Sequence, residues 1–376
     1  METNRYKHLK KARRVVVKVG SGVLTARNGL NIQAIRSISR QISILMDQGR
    51  EVVLVSSGAM ASGMKKIGLA KRPTEIPKRQ AIAAVGQAGL IQEWEAAFGQ
   101  HDRKVAQVLL TREDLCDRKR YLNARNTLRT LLSWKVVPVI NENDTVAVEE
   151  LKFGDNDNLA AMITLLMDAD ILVNLTDIDG LYTKDPRVHA DAELIPVVDS
   201  ISRGIERLAS DIPGTLGTGG MLSKIRAAKK VTRSGIPMII AKGEKKDILG
   251  SLFSGAPHGT FFVPEKSRLS SRKGWIAFTL KPQGALTIDD GAARAILNNG
   301  KSLLPIGITD VRGDFNVGAC VEFFDGNETK LGIGLVNYSA ADIRKIKGLK
   351  TNEIEMRLGY KPYDEVIHRD NLTLAG

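Results

Sequence analysis

An α/β domain built on a largely parallel sheet, followed by a smaller β-rich module, is the fold class this sequence predicts. Two observations carry it. Up to about residue 260, short β-rich apolar runs alternate with longer stretches of helical periodicity, the pattern of parallel strands joined by crossover helices. After Val263 the composition shifts: PEKSRLSSRKG, ending at Gly274, is short, basic and without apolar periodicity, as expected of a connection between domains. The expected boundaries are 1–262 for the first domain, 263–274 for the connection and 275–376 for the second domain and its tail. A chain of 376 residues is long enough to bury a full core in the first of these.

The expected strands of the first domain are 14–19, 51–56, 104–110, 136–140, 171–175 and 236–241, each a short β-rich run ending in a loop with polar or glycine content. The run 136–140 is β-branched apart from Pro138 and suits a strand buried on both faces. Helical segments are expected around 31–48, 78–98, 118–134, 158–167 and 221–234. In the second domain WIAFTL (275–280), ALTID (285–289), ACVEFF (319–324) and LGIGLV (331–336) read as strands, with one helical piece at 291–299, giving a small barrel-like module.

The bulk numbers exclude several classes. With 43% hydrophobic and 26% charged residues the composition is that of an ordinary globular protein and not a disordered one. Only Cys116 and Cys320 are present, far apart and without a CxxC, so neither a disulfide framework nor a cysteine zinc site is expected. No run approaches the roughly 18 uninterrupted apolar residues of a membrane helix, and the KHLKKARR start is followed by an apolar run broken at Lys18. A cytoplasmic, reducing setting is the expectation, and the sequons at Asn143, Asn174 and Asn327 then carry no glycans. A net charge of +13 invites a polyanionic partner, but the basic residues are spread along the chain.

Ligands of open parallel sheets sit at the carboxyl ends of the strands, so chemistry is sought there. The richest such place is NENDTVAVEELKFGDNDNLAA (141–161): Asn141 to Asp144 follow a strand, and Asp155, Asn156, Asp157 and Asn158 open a helix. A helix cap alone accounts for one such cluster; two clusters flanking one connection point to a substrate-orienting site. The first strand ends in Lys18-Val19-Gly20-Ser21-Gly22, a lysine beside a glycine turn. The second ends in Ser56-Ser57-Gly58. GTLGTGGMLSK (214–224) places four glycines, two threonines, a serine and a lysine at the start of a helix, where exposed amides attract phosphate.

GTLGTGGMLSK is not a Walker A loop, since GxxxxGK[ST] occurs nowhere in the chain. His368-Arg369-Asp370 lacks the downstream Asn and DFG of a protein kinase, and Asp177-Ile178-Asp179-Gly180 fails calcium-loop spacing. Two lysines near glycine loops with a carboxylate and amide cluster suggest phosphoryl transfer, in which positioning and charge neutralisation do most of the work. An alcohol acceptor needs a base, whereas a carboxylate, with an ordinary pKa of about 4.3, is ionised at neutral pH. No histidine lies beside these motifs, which leans towards a carboxylate acceptor.

These motifs together resemble the amino-acid kinase family, and within it the branch that phosphorylates the side chain of glutamate. The carriers are VVVKVGSGVLT, VLVSSGAMASG, AVGQAGLIQEWE, LLTREDLCDRKRYLNARNTL, VPVINENDTVAVEELKFGDNDNLAA, LTDIDGLYTKDPR and GTGGMLSK. Near the C-terminus SLLPIGITDVRGDFNVGACVEFF and LGIGLVNYSA resemble the PUA module found after the kinase domain in that branch. The resemblance implies a three-layer sandwich around the parallel sheet, ATP and L-glutamate as substrates with Mg²⁺ brought by ATP and no dedicated protein metal site, and L-glutamyl 5-phosphate as product for proline synthesis. It also implies inhibition by proline and a homo-oligomer, dimer or tetramer.

Carried over residue by residue, Lys18, Lys224 and Asp157 are the expected catalytic group, with Asp157 orienting the two lysines. Ser57, Asp144 and Asn156 would hold glutamate. Lys18, Thr176, Asp177, Thr218, Gly219, Gly220, Met221, Leu222, Ser223 and Lys224 would hold ATP. The alternatives are a related phosphotransferase acting on acetylglutamate, carbamate or a nucleoside monophosphate, and an RNA-binding PUA protein. Against the last, no RNP-like aromatic motif is present and aromatic residues make up only 5% of the chain.

Overall fold

The computed structural model describes residues 2–27, 29–147, 156–210, 220–265 and 271–375. The chain forms two compact units, residues 1–268 and 269–376. In the first unit the strands are β1 (Arg14–Val19), β2 (Thr25–Ala26), β3 (Gly29–Leu30), β4 (Glu51–Ser56), β5 (Val105–Leu110), β6 (Val137–Glu142), β7 (Ile171–Thr176), β8 (Val197–Val198), β9 (Met238–Lys242) and β10 (Thr260–Phe262). β2 and β3 form a small hairpin, and the others form one sheet in the order β5-β6-β4-β1-β7-β9-β10-β8. Every neighbouring pair in it is parallel except β9 with β10. The sheet is therefore largely parallel, as the alternation of strand and helix patterns predicts.

Both faces are covered. On one, Val15, Val17 and Val19 of β1 pack with Val52 and Leu54 of β4 and Val173 and Leu175 of β7. They meet Ile35, Ile38 and Ile42 of helix Ile32–Asp47, and Trp94 and Phe98 of helix Ile76–Gly99. Against the opposite face lies helix Asn156–Leu166, buried along almost its whole length, with helix Met221–Arg233 packed beside it. Strands covered on both sides must be apolar at every position, which is why β1 reads VVV-V and β7 ILV-LT. The interruptions are Lys18 and Asn174. They are register partners across the β1–β7 ladder, so both side chains leave the sheet on the face towards helix Asn156–Leu166.

Glycines fix one further element. A Cβ at Gly63 would lie 1.8 Å from the carbonyl oxygen of Ile82, and one at Gly86 would lie 1.8 Å from that of Ala59. Helices Ala59–Ile67 and Ile76–Gly99 therefore touch backbone to backbone, a spacing that no side chain permits. The turn entering the first of them, Ser56-Ser57-Gly58, is closed by Gly58 at φ 112°, in the left-handed region.

The second unit is a five-stranded sheet, β12-β11-β13-β14-β15, from β11 (Gly284–Ile288), β12 (Ile308–Arg312), β13 (Cys320–Phe324), β14 (Lys330–Leu335) and β15 (Leu372–Leu374). β11 and β13 pair in parallel and the rest antiparallel. Its own core holds Leu286, Val321, Phe323, Tyr338 and Ile343. Three of the four expected strands form, and the helical piece at 291–299 is helix Asp290–Asn299. WIAFTL is a correction: all of it but Leu280 lies in helix Ser271–Thr279. Gly274, Trp275 and Ile276 are buried in succession, whereas a one-faced strand buries alternate residues; the β-forming composition of the segment was misleading. The short strands β8 and β10 carry too little periodicity to be seen in the sequence, and helices Glu2–Lys11, Ala59–Ile67, Arg203–Ser210 and Ile248–Phe253, the longest of them ten residues, were not expected. Among the described residues no helix is long and apolar enough to cross a membrane.

Candidate active site

The expected catalytic residues converge at the carboxyl ends of the central strands. Asp157 is the second residue of helix Asn156–Leu166, and its side chain is 1% exposed. Lys18 Nζ lies 2.6 Å from its Oδ1 and Lys224 Nζ lies 3.2 Å from its Oδ2. Asn174 Nδ2 donates to Oδ1 at 2.8 Å, and the Ser223 hydroxyl donates to Oδ2. A carboxylate offers about four lone-pair sites, and here four donors take them. Burial alone would raise the Asp157 pKa; Lys18, Lys224 and the hydrogen bonds outweigh it and hold the group well below the ordinary carboxylate range. The two lysines, themselves 5% and 6% exposed, thus sit charged around one fixed anion.

Lys18 gets there because β1 aims it off the sheet, and Lys224 because it lies in the first turn of helix Met221–Arg233. That helix begins at Gly220, which has no side chain to cap the first-turn amides, so they are available to an anion. Gly220, Met221, Leu222, Ser223 and Lys224 occupy this start. Thr218, Gly219 and the upstream glycines fall outside the described residues, as does Asp155. The glycine turn after β1 approaches β7 closely: Gly20 N donates to Leu175 O at 2.9 Å, and a Cβ at Gly22 would lie 2.9 Å from Asp177 Cβ. Thr176 and Asp177 close β7, with the Thr176 hydroxyl donating to Asp177 Oδ1 at 2.9 Å.

A second group forms around Asn156. Its Nδ2 donates to Asn141 Oδ1 at 3.0 Å and to Ser57 Oγ at 3.1 Å, and Asn141 in turn donates to Gln87 Oε1 at 2.8 Å. The Asn156 side-chain oxygen, Oδ1, is buried without a hydrogen-bond partner. Trp94 Nε1 donates to Ser56 Oγ at 2.8 Å and pins the turn that presents Ser57. Asp144, beyond the end of β6, is half-buried; desolvation pushes its pKa up to about 6, against the pull of Arg79 and Arg72. So Lys18, Asp157, Lys224 and Ser223 share one cluster, Ser57 and Asn156 a second, and Asp157 follows Asn156 directly in the chain.

Sequence reasoning missed Asn174, Gln87 and Trp94. Asn174 had a signal, a lone amide in an otherwise apolar strand; Gln87 and Trp94 sit in a helical pattern that gives none. For a metal, no group of three or more His, Cys, Asp or Glu side chains is gathered among the described residues. The donor set suits a polyanion: two buried ammonium groups and an uncapped helix start.

The model of the amino acid kinase family matches residues 13–242, and that of the PUA domain matches residues 284–358. The chain is 52% identical to the glutamate 5-kinase of Syntrophus aciditrophicus over 374 residues, covering 100% of this chain and 97% of that one. It is 53% identical to the glutamate 5-kinase of Meiothermus ruber over 363 residues, 96% of each. It is 50% identical to that of Geobacter sulfurreducens over 367 residues, 97% of this chain and 98% of the other. Among solved structures, the carbamate kinase from Giardia lamblia bound to AMP-PNP aligns with 68% of this chain and 100% of its own, at a TM-score of 0.50 and 16% identity, a likeness of fold.

Proposed function

Since the chain belongs to the amino acid kinase family and, within it, to the glutamate 5-kinases, we propose that it transfers the terminal phosphoryl group of ATP to the side-chain carboxylate of L-glutamate. The product is L-glutamyl 5-phosphate and the reaction opens proline biosynthesis. The observation that carries this reading is the pair of buried lysines held by Asp157 beside an uncapped helix start.

One carboxylate oxygen of glutamate attacks the γ-phosphorus as the bond to the β,γ-bridging oxygen breaks, and ADP leaves with that electron pair. No proton moves, because the nucleophile arrives ionised. This accounts for a site whose conspicuous carboxylate, Asp157, has every lone pair occupied and cannot act as a base. Lys18 and Lys224 meet the charge that builds on the transferring group and on the leaving oxygen. Gly220 to Ser223 cradle the phosphates with backbone amides, and Thr176 and Asp177 hold the nucleoside side. Ser57 and Asn156 grip glutamate, and Asp144 pairs with its ammonium group. Mg²⁺ would arrive with ATP and would supply further neutralisation of the phosphate charge that Lys18 and Lys224 meet.

Purified protein given ATP, Mg²⁺, L-glutamate and hydroxylamine should form the γ-glutamyl hydroxamate. Turnover of N-acetylglutamate or carbamate with no product from glutamate would overturn the assignment. Feedback inhibition by proline and assembly into a dimer or tetramer belong to the same proposal, on the family resemblance. Proline should raise the KM for glutamate, and light scattering should give a mass of at least two chains.

A further inference from the structure

We propose that Asn174 is a positioning residue for phosphoryl transfer, acting through Asp157; the inference rests on the glutamate-kinase reading above. A buried strand is an unfavourable place for an amide. Asn174 is wholly buried in β7, flanked by Val173 and Leu175, which are fully buried too, and its side-chain oxygen, Oδ1, has no hydrogen-bond partner. Such an oxygen costs free energy, and asparagine is depleted in strands. What the residue gives in return is one contact, Nδ2 to Asp157 Oδ1 at 2.8 Å.

That contact differs in kind from the lysine contacts on the same carboxylate. Lys18 and Asn174 are register partners on adjacent strands and approach the same oxygen from the same sheet face. The lysines have long, flexible stems and must lean towards phosphate oxygens as charge develops there. Asn174 is short, neutral and fixed by its strand, with nothing to gain from the phosphate. It therefore holds Asp157 in place when the lysines change partners, so that both return to one geometry. Ser223 holds the other oxygen but lies on the phosphate-binding helix start, so Asn174 is the anchor that stands outside the nucleotide site.

The test is a double-mutant cycle on the full chain, using the hydroxamate assay. Asn174→Leu, near in volume, should lower kcat roughly ten- to a hundredfold, the worth of a hydrogen bond to a charged group, with the KM values for ATP and glutamate changed less than about threefold. Asp157→Asn lowers kcat by itself, and adding Asn174→Leu to it should lower kcat no further, since the group through which Asn174 acts has lost its charge. Asn174→Thr, which keeps a donor on the strand, should recover part of the loss. Thermal unfolding separates folding failure: if Asn174→Leu does not fold, Asn174→Thr in both Asp157 backgrounds completes the cycle. Multiplicative losses in the double variant, or a full kcat in Asn174→Leu, would overturn the proposal while leaving the kinase assignment intact. A wild-type chain that makes no hydroxamate would overturn both.

Discussion

Replacing Asp157 by Asn tests whether the site is held by one charge. The side chain keeps its shape, but the anion between Lys18 Nζ at 2.6 Å and Lys224 Nζ at 3.2 Å is gone, and both ammonium groups are almost fully buried. Removing one partner of a buried pair costs about 3–5 kcal/mol. The remaining amide oxygen still accepts one hydrogen bond, which favours the lower end, about 3 kcal/mol. For a domain of this size each kcal/mol moves Tm by roughly 2–4 °C, so the first unit should melt about 6–12 °C lower. The carboxylate's pKa is depressed in the folded state, so its stabilisation is present above the unfolded value of about 3.9 and is lost as pH falls through the folded one. The gap between wild type and variant should therefore persist from pH 5 to 8 and close only in strong acid. Calorimetry at several pH values, with and without ATP, reads this directly. ATP should stabilise the variant more than the wild type, because the phosphates supply the missing counter-charge, while turnover falls roughly 10²-fold. A variant that melts within about a degree of wild type, with no larger response to ATP, would refute the idea that Asp157 is the counter-charge.

Asp144, with a pKa pushed up to about 6, should lose its grip on the substrate ammonium in mild acid. The KM for glutamate should rise as pH drops below about 6, by at most about tenfold per unit, and an Asp144→Asn variant should have a higher KM that no longer changes there. Because this pKa is raised, ionising Asp144 costs stability: its contribution is greatest below the unfolded value and declines as pH rises through about 6. Ser57→Ala removes one of the acceptors of Asn156 and should raise the KM for glutamate roughly fivefold while the KM for ATP stays put; the reverse pattern would move Ser57 out of the glutamate site. Gly86→Ala drives a methyl group into the Ala59 carbonyl, 1.8 Å away, and should cost about 1–3 kcal/mol in denaturant unfolding with a loss of glutamate affinity as the Ser57 turn shifts. An unchanged midpoint would show that the two helices can part without cost.

Three strands of the large sheet that matter for the site were legible because they are apolar runs between polar loops: 14–19 and 51–56 coincide with β1 and β4, and 171–175 falls one residue short of β7. The edge strands β8 and β10 were not, since two- and three-residue pairings carry no period. In the second unit, aromatic and β-branched residues made 275–280 look like a strand, and tertiary burial of Trp275 and Ile276 in succession made it helical. For the site, residue types and their company named Lys18, Asp157 and Lys224, but the direction of the Asn174 side chain depends on its pairing with Lys18 from a strand more than 150 residues away. Gln87 and Trp94 are connected to the substrate side only through folding, by contacts with Asn141 and Ser56.

The indole of Trp94 has a use beyond support. The chain has three tryptophans: Trp134 is 70% exposed, and Trp275 belongs to the second unit. Replacing those two by Phe would leave a single tryptophan, fully buried, whose N–H is bonded to the residue next to Ser57. Indole emission responds to the polarity and hydrogen bonding around that N–H. Glutamate arrival at Ser57 would then register as a colour and intensity change in the protein's own fluorescence, so that amino-acid binding could be timed in a stopped-flow cell without nucleotide and without turnover.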